Sequence, residues 1–185
     1  GPLESYSYYC NLSSVVAKFG DYMALVKRDG TGTPITEFEY HYIEPICFLP
    51  IYAVWKKNDL KHFALMIDGE VITPYEIEKY YMQCNGVLPL EANGKAGMLA
   101  YDLGLIYIKP EYDELYDDGF GSDFTFVKDG KKGRVTLDKR FISDEEYNSL
   151  SEEEQDNLED VGFICSYDIL FTFFFYIILI EQRKD

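Results

Sequence analysis

The apolar positions of the chain fall mainly into short runs or into alternation, the two patterns of strands. "YMALVK" (22–27) is an apolar run that stops at the turn cluster "RDGTGTP". In "ITEFEYHYI" (35–43), Ile35, Phe38, Tyr40 and Tyr42 alternate imperfectly with Glu37, Glu39 and His41, which predicts a strand with one charged face. "PIYAVWK" and "HFALMI" flank "KNDLK" and predict a hairpin, and Asp68-Gly69 then folds "HFALMI" back onto "EVIT". Further along, "GMLAYDL" and "LIYIKP" predict two strands, and "DFTFV" and "RVTLD" a hairpin around "KDGKKG".

Two segments carry a helical pattern instead. Thr73 can cap, Pro74 suits a first turn, Glu76 favours the positive helix end, and Ile77, Tyr80, Tyr81 and Cys84 recur at helical spacing. A helix near 74–84 is therefore expected, ended by Asn85-Gly86. A second helical segment is expected near 143–160, where Ser143-x-x-Glu146 and Ser151-x-x-Glu154 both match the capping box. Hairpins interrupted by helices, without regular strand–helix–strand alternation, define the expected class as α+β with a mainly antiparallel sheet.

The apolar stretch "ILFTFFFYIILI" (169–180) is too short for a membrane-spanning helix, which needs about 20 apolar residues. Ser166 and Asp168 precede it, and Phe, Tyr and Ile favour strands, so a buried terminal strand is expected and no membrane partner. Gly1–Ser5 has the look of a scar left by cleaving an expression tag. Residues 6–185 then suit a single domain. Cys10, Cys47, Cys84 and Cys165 are scattered, with no CxxC pair and only His41 and His62 to join them. That argues against a structural zinc and for reduced thiols in an intracellular protein, and the cytoplasm of a bacterial or virus-infected cell is the expected setting.

The search for catalytic chemistry finds no supported site. An EF-hand loop fails whether begun at Asp113 or at Asp117, because position 3 is then Leu115 or Gly119. A looser hard-cation site at Asp117, Asp118 and Asp123 remains as the enzyme alternative. There is no GxSxG elbow, and Cys47 and Cys84 sit among apolar residues as core fillers do. "GTGTP" (30–34) lacks the lysine and helix of a phosphate loop. The four bases of "KDGKKGR" (128–134) suit a solvated turn, or pairing with the acidic segments beside it, better than direct nucleic-acid binding. A non-enzymatic protein without cofactor is therefore expected.

Charge is the strongest remaining signal. The chain holds 33 acids against 17 bases, a formal net charge of −16, which repels nucleic acid and attracts basic proteins. Fifteen of the 33 acids lie in residues 111–123 and 144–160, neither of which contains Lys or Arg. Aromatic residues are interleaved with them, and tyrosine beside carboxylate suits a steered interface. The expected partner-binding residues are Glu111, Tyr112, Asp113, Glu114, Tyr116, Asp117, Asp118 and Asp123, together with Glu152, Glu153 and Glu154. The acids of 152–154 also serve capping, so the 111–123 segment is expected to dominate, with Tyr112 and Tyr116 as aromatic anchors. The expected function is inhibition of a basic, nucleic-acid-handling protein such as a nuclease, in the manner of a phage anti-restriction or anti-CRISPR nucleic-acid mimic. Alternatives are an immunity protein against a basic toxin, a divalent-metal enzyme and a structural scaffold component. The likeness to such inhibitors is one of physical character, and no motif here belongs to one of their families.

Overall fold

The computed structural model describes residues 4–6, 14–46, 49–81, 86–101, 104–117, 124–158 and 161. The chain divides into two compact units, Gly1–Glu78 and Lys79–Asp185. Both are built from antiparallel sheets.

In the first unit, β1 (Glu4–Tyr6), β2 (Ser14–Phe19) and β3 (Tyr22–Lys27) form a three-stranded sheet in that order. Glu4 and Ser5, expected to be tag remnant, pair with Lys18 and Ala17 of β2. β4 (Tyr42–Pro45), β5 (Ile51–Lys56), β6 (Asp59–Ile67) and β7 (Glu70–Val71) form a four-stranded sheet, also in sequence order. The buried residues of both sheets meet in one cluster that includes Val16, Leu25, Tyr52, Val54, Ala64 and Met66. Inside this apolar layer Ser14 Oγ and the Tyr52 hydroxyl hydrogen-bond at 2.7 Å, so neither polar group is stranded.

In the second unit, β8 (Lys79–Tyr80), β9 (Val87–Ala92), β10 (Lys95–Ala100) and β11 (Ile106–Tyr112) form one sheet. β12 (Glu114–Asp117), β13 (Phe124–Lys128), β14 (Lys131–Val135) and β15 (Phe141–Ser143) form another. Residues from both sheets share a core that includes Met98, Ile108, Tyr112, Phe126 and Val135. Two five-residue helices follow, α1 (Asp144–Asn148) and α2 (Glu152–Asp156).

The antiparallel, hairpin-rich expectation holds. The β6–β7 and β13–β14 hairpins turn at Asp68-Gly69 and Asp129-Gly130, where both central residues have positive φ as a type I′ turn requires. The β9–β10 hairpin turns the same way at Asn93-Gly94, a strong turn signal that the hydrophobic pattern alone passes over. The strand expected over 35–43 begins only at Tyr42; before it the chain touches β3 through single bridges at Pro34 and Tyr40.

The helix expected near 74–84 is absent from residues 74–81. Ile77 instead exchanges two backbone hydrogen bonds with Phe63, at 2.8 and 3.2 Å, and β8 pairs with β9. Thr73 does not cap a helix. Its hydroxyl accepts from the backbone N–H of Leu65 at 2.8 Å, in a buried position. Tyrosine and isoleucine favour strands, and over so short a stretch an available sheet edge overrides helical spacing. Residues 82–85 and the terminal stretch 169–180 lie outside the described residues, as do all four cysteines. Among the described residues no helix is long and apolar enough to cross a membrane.

Candidate functional site

The acidic segment 111–117 is strand, not loop. β11 passes directly into β12 at Asp113, whose N–H donates to the Val127 carbonyl at 2.7 Å. Strand alternation then decides which side chains face out. Glu111, Glu114 and Tyr116 are exposed, while Tyr112 points inward and is only 3% exposed. Tyr112 packs on Phe126 and Phe141, with ring centroids 4.8 and 6.0 Å away. Burial, then the Glu111 charge, pushes its phenol pKa up. The expectation that Tyr112 anchors a partner is therefore corrected: its ring belongs to the core. Tyr116 remains outward, with the Lys132 ammonium 5.8 Å from its ring centroid. Asp117 closes β12 opposite Phe124, and Asp118 and Asp123 lie outside the described residues.

The segment contains no cation, yet neighbouring strands supply them. Lys128 of β13 reaches Glu111 at 2.7 Å, and Lys95 of β10 reaches Asp113 at 2.5 Å. The Lys95 ammonium, by its hydrogen bond first, holds the Asp113 carboxyl below its ordinary range, and Glu111 raises the Lys128 pKa in the same way. These two residues of the expected surface are thus already paired. Glu114 makes no ion pair among the described residues.

The helical acids have a different setting. Ser143 caps α1 by accepting from the Glu146 N–H, and Ser151 and Glu154 form a full capping box on α2. The Ser151 N–H and hydroxyl both donate to Glu154 and hold its carboxyl below the usual range. Neither helix has a buried residue or a base in its last turn. Glu145 and Glu146 lie 3.6 Å from Lys131 and Arg140, long exposed contacts of little worth. Glu152 and Glu153 are exposed and make no ion pair among the described residues. The Arg134 guanidinium lies 3.7 Å from the Tyr147 ring centroid, a cation–π contact that ties α1 to β14.

The bases of 128–134 are therefore engaged with nearby acids and rings. The signal for this lay in the hairpin registers, which set Lys95 and Lys128 beside the acidic strand; counting charges within a segment cannot show it. Among the described residues no group of three or more His, Cys, Asp and Glu is placed to hold a metal ion. Comparison with protein-family models, with curated proteins and with solved structures finds no match.

Proposed function

We propose that this chain is a non-enzymatic acidic binding protein that occupies a basic, nucleic-acid-binding surface on a partner and inhibits it. The setting would be the cytoplasm of a bacterial or virus-infected cell, as for an anti-restriction or anti-CRISPR nucleic-acid mimic. The observation that supports this most is the pair of capped helices α1 and α2, whose acids are all exposed. They project seven carboxylates, from Asp144 to Asp156, and contain no base. Uncompensated like charge costs folding energy, and an Arg- or Lys-rich groove would relieve it. Glu114 and Tyr116 on β12 would extend the surface. The α+β class belongs to the same reading, because the short helical part is where the binding chemistry gathers.

The test is capture of binding proteins from the host at low salt, then a DNA- or RNA-binding assay on each captured protein with and without the chain. The expected result is a basic nucleic-acid-binding protein whose activity falls, with association slowed at physiological salt, where the Debye length is about 8 Å. Capture that is indifferent to salt, or a partner whose nucleic-acid binding is unaffected, would overturn the proposal.

A further inference from the structure

The first unit contains a cleft of about 500 Å³ beside the β5–β6 hairpin tip, lined by Tyr22, Glu39, Tyr40, Lys56, Lys57 and Tyr75, with Asn58 and Asp59 at the tip itself. Unlike the acidic helices it holds bases, Lys56 and Lys57, beside the acids Glu39 and Asp59, and Asp59 is already bonded to His62. On a regular strand Lys56 and Lys57 would point to opposite sides. The β5–β6 register shifts between Trp55 and Lys56, and both lysines line the cleft. The Lys56 ammonium sits 4.4 Å from the Tyr75 ring centroid and makes no ion pair among the described residues. The Lys57 ammonium lies 5.3 Å from the Tyr22 ring centroid, and its Asp21 contact is a long, exposed 3.4 Å. Neither cation is committed to a strong internal anion.

The second unit offers a contrast. A cleft of about 360 Å³ there is lined by Tyr81, Glu91, Lys95 and Asp113 among others, and its charges are satisfied internally. Lys79 and Tyr81 both bond Glu91, at 2.7 and 2.6 Å, and Lys95 bonds Asp113. A ligand there would have to break strong pairs, whereas in the first unit it would find open valences.

We propose that the Lys56–Lys57 cleft binds a small phosphate monoester carried on a planar ring, the chemistry of a nucleoside monophosphate. Two adjacent ammonium groups complement a dianion, and lysine acts on phosphate as a point charge, whereas a single planar carboxylate is better matched by arginine. The tyrosine rings give a stacking surface for the planar part, and Tyr22 is 39% exposed. Glu39 supplies an acceptor for a ring amino group. Burial first, then Tyr40 and Glu39, pushes the Tyr75 phenol up to about 12, so it stays a neutral O–H donor beside an anion at any physiological pH. The cleft volume lies within the usual range for small-ligand sites.

The test is calorimetric titration of the full chain with adenosine 5′-monophosphate, inorganic phosphate and adenosine, at low and physiological salt. The monophosphate is expected to bind more tightly than either fragment. Lys56→Gln and Lys57→Gln should each weaken it about tenfold, the scale of one charge-assisted contact. Tyr22→Ala should weaken the monophosphate while leaving inorganic phosphate unchanged. All three positions are exposed, and unchanged emission from Trp55 would show the fold is kept. The proposal is overturned if the monophosphate gives no binding heat up to about 10 mM. It is equally overturned if both lysine variants bind as the parent does, or if adenosine binds as well as its phosphate. Tighter inorganic phosphate than monophosphate would reject the ring-stacking half and with it the proposal.

Discussion

Both units place buried antiparallel sheets around one core, yet they differ in how they hold charge. The first contains 11 acids and 6 bases, the second 22 and 11. In the first, several charges meet in one network. His62 Nδ1 lies 2.7 Å from Asp59, its Nε2 lies 3.5 Å from Glu78, and the Lys61 ammonium lies 2.8 Å from Glu78 Oε1 as an ion pair. In the second, Glu91, Glu111 and Asp113 find lysines on neighbouring strands, while the acids of α1 and α2 do not find close ones. A strand position has a neighbour on the adjacent strand about 5 Å away, so an acid in a sheet can be neutralised by a residue far off in sequence. On the one-turn helices only Glu145 and Glu146 meet bases among the described residues, and those at 3.6 Å. The lesson is that acidic runs of similar composition differ in availability according to the element that carries them.

The largest effects should come from a fully buried aromatic ring in each unit. Phe63 packs on Trp55 at 4.8 Å between centroids, and Phe126 on Tyr112 at the same distance; each is 1% exposed. Phe63→Ala and Phe126→Ala should each cost about 3–5 kcal/mol. Trp55 is the chain's one tryptophan, so its emission in a urea titration reads the first unit directly. Phe63→Ala should shift that midpoint strongly and redden the native emission. Phe126→Ala should leave the native emission wavelength of Trp55 unchanged while lowering the far-UV circular dichroism midpoint. A red-shifted native Trp55 spectrum in Phe126→Ala would break the assignment of Phe126 to a core that Trp55 does not share.

Next come positions where the backbone, not side-chain apolarity, sets the cost. A Cβ at Gly97 would lie 2.5 Å from the Ile108 carbonyl oxygen, and one at Gly133 would lie 2.1 Å from that of Ile142. Either alanine must push two paired strands apart, so Gly97→Ala and Gly133→Ala should each destabilise by about 1–3 kcal/mol. Thr73→Val is the counterpart in the first unit. It preserves shape and strands the Leu65 N–H, costing about 1–3 kcal/mol. Had Thr73 capped a helix, valine would instead reduce helicity. Thermal unfolding together with the native far-UV spectrum separates these outcomes.

The hairpins were legible in the sequence because a Gly-containing turn pair and the flanking apolar runs each point to the same geometry, as at Asp68-Gly69 and Asp129-Gly130. The segment 73–81 was not legible, because Thr-Pro and a 3.6-residue spacing coincide with β-favouring side chains, and only the open edge at Phe63 decides between them. The capping box at Ser151 was legible, being a local interaction, and at Ser143 the cap formed without the reciprocal Glu146 bond. The inward turn of Tyr112 and the ion pairs of Glu111 and Asp113 were not legible, since both depend on strand register. The lysine–tyrosine cleft also escaped, because its walls come from residues 22, 39–40, 56–57 and 75, brought together by pairing alone.

Acid titration sharpens the contrast between charge networks. The His62 ring and N–H hold the Asp59 carboxyl below its ordinary 3.8, and Lys95 does the same for Asp113. A carboxyl with a depressed folded pKa contributes stability above its unfolded value and loses it as pH falls through the folded one. Stability should therefore decline between about pH 5 and pH 3. Asp59→Asn should flatten that decline in Trp55 emission, and Asp113→Asn in far-UV circular dichroism. Unaltered slopes in both variants would show that other carboxyls govern the acid limb.

The smallest effect on stability, and the most telling about function, is expected at α2. Glu152 and Glu153 touch no base among the described residues, so Glu152→Gln with Glu153→Gln should change folding free energy by no more than about 0.5 kcal/mol. Glu154 is left intact because its carboxylate accepts from Ser151 and closes the capping box. The matched variant, Glu111→Gln with Asp113→Asn, removes acids already held by Lys128 and Lys95 and frees those lysines. Each double change removes two negative charges, so long-range attraction for a basic partner falls equally in both. Only the local contribution differs. If the exposed helix is the docking surface, the α2 variant should slow association and also speed dissociation from a captured partner, whereas the strand variant should change the association rate alone. Stopped-flow association and dissociation at two salt concentrations read both. Dissociation that speeds up in the strand variant and not in the α2 variant would return the surface to β11–β12, where the primary sequence alone had put it.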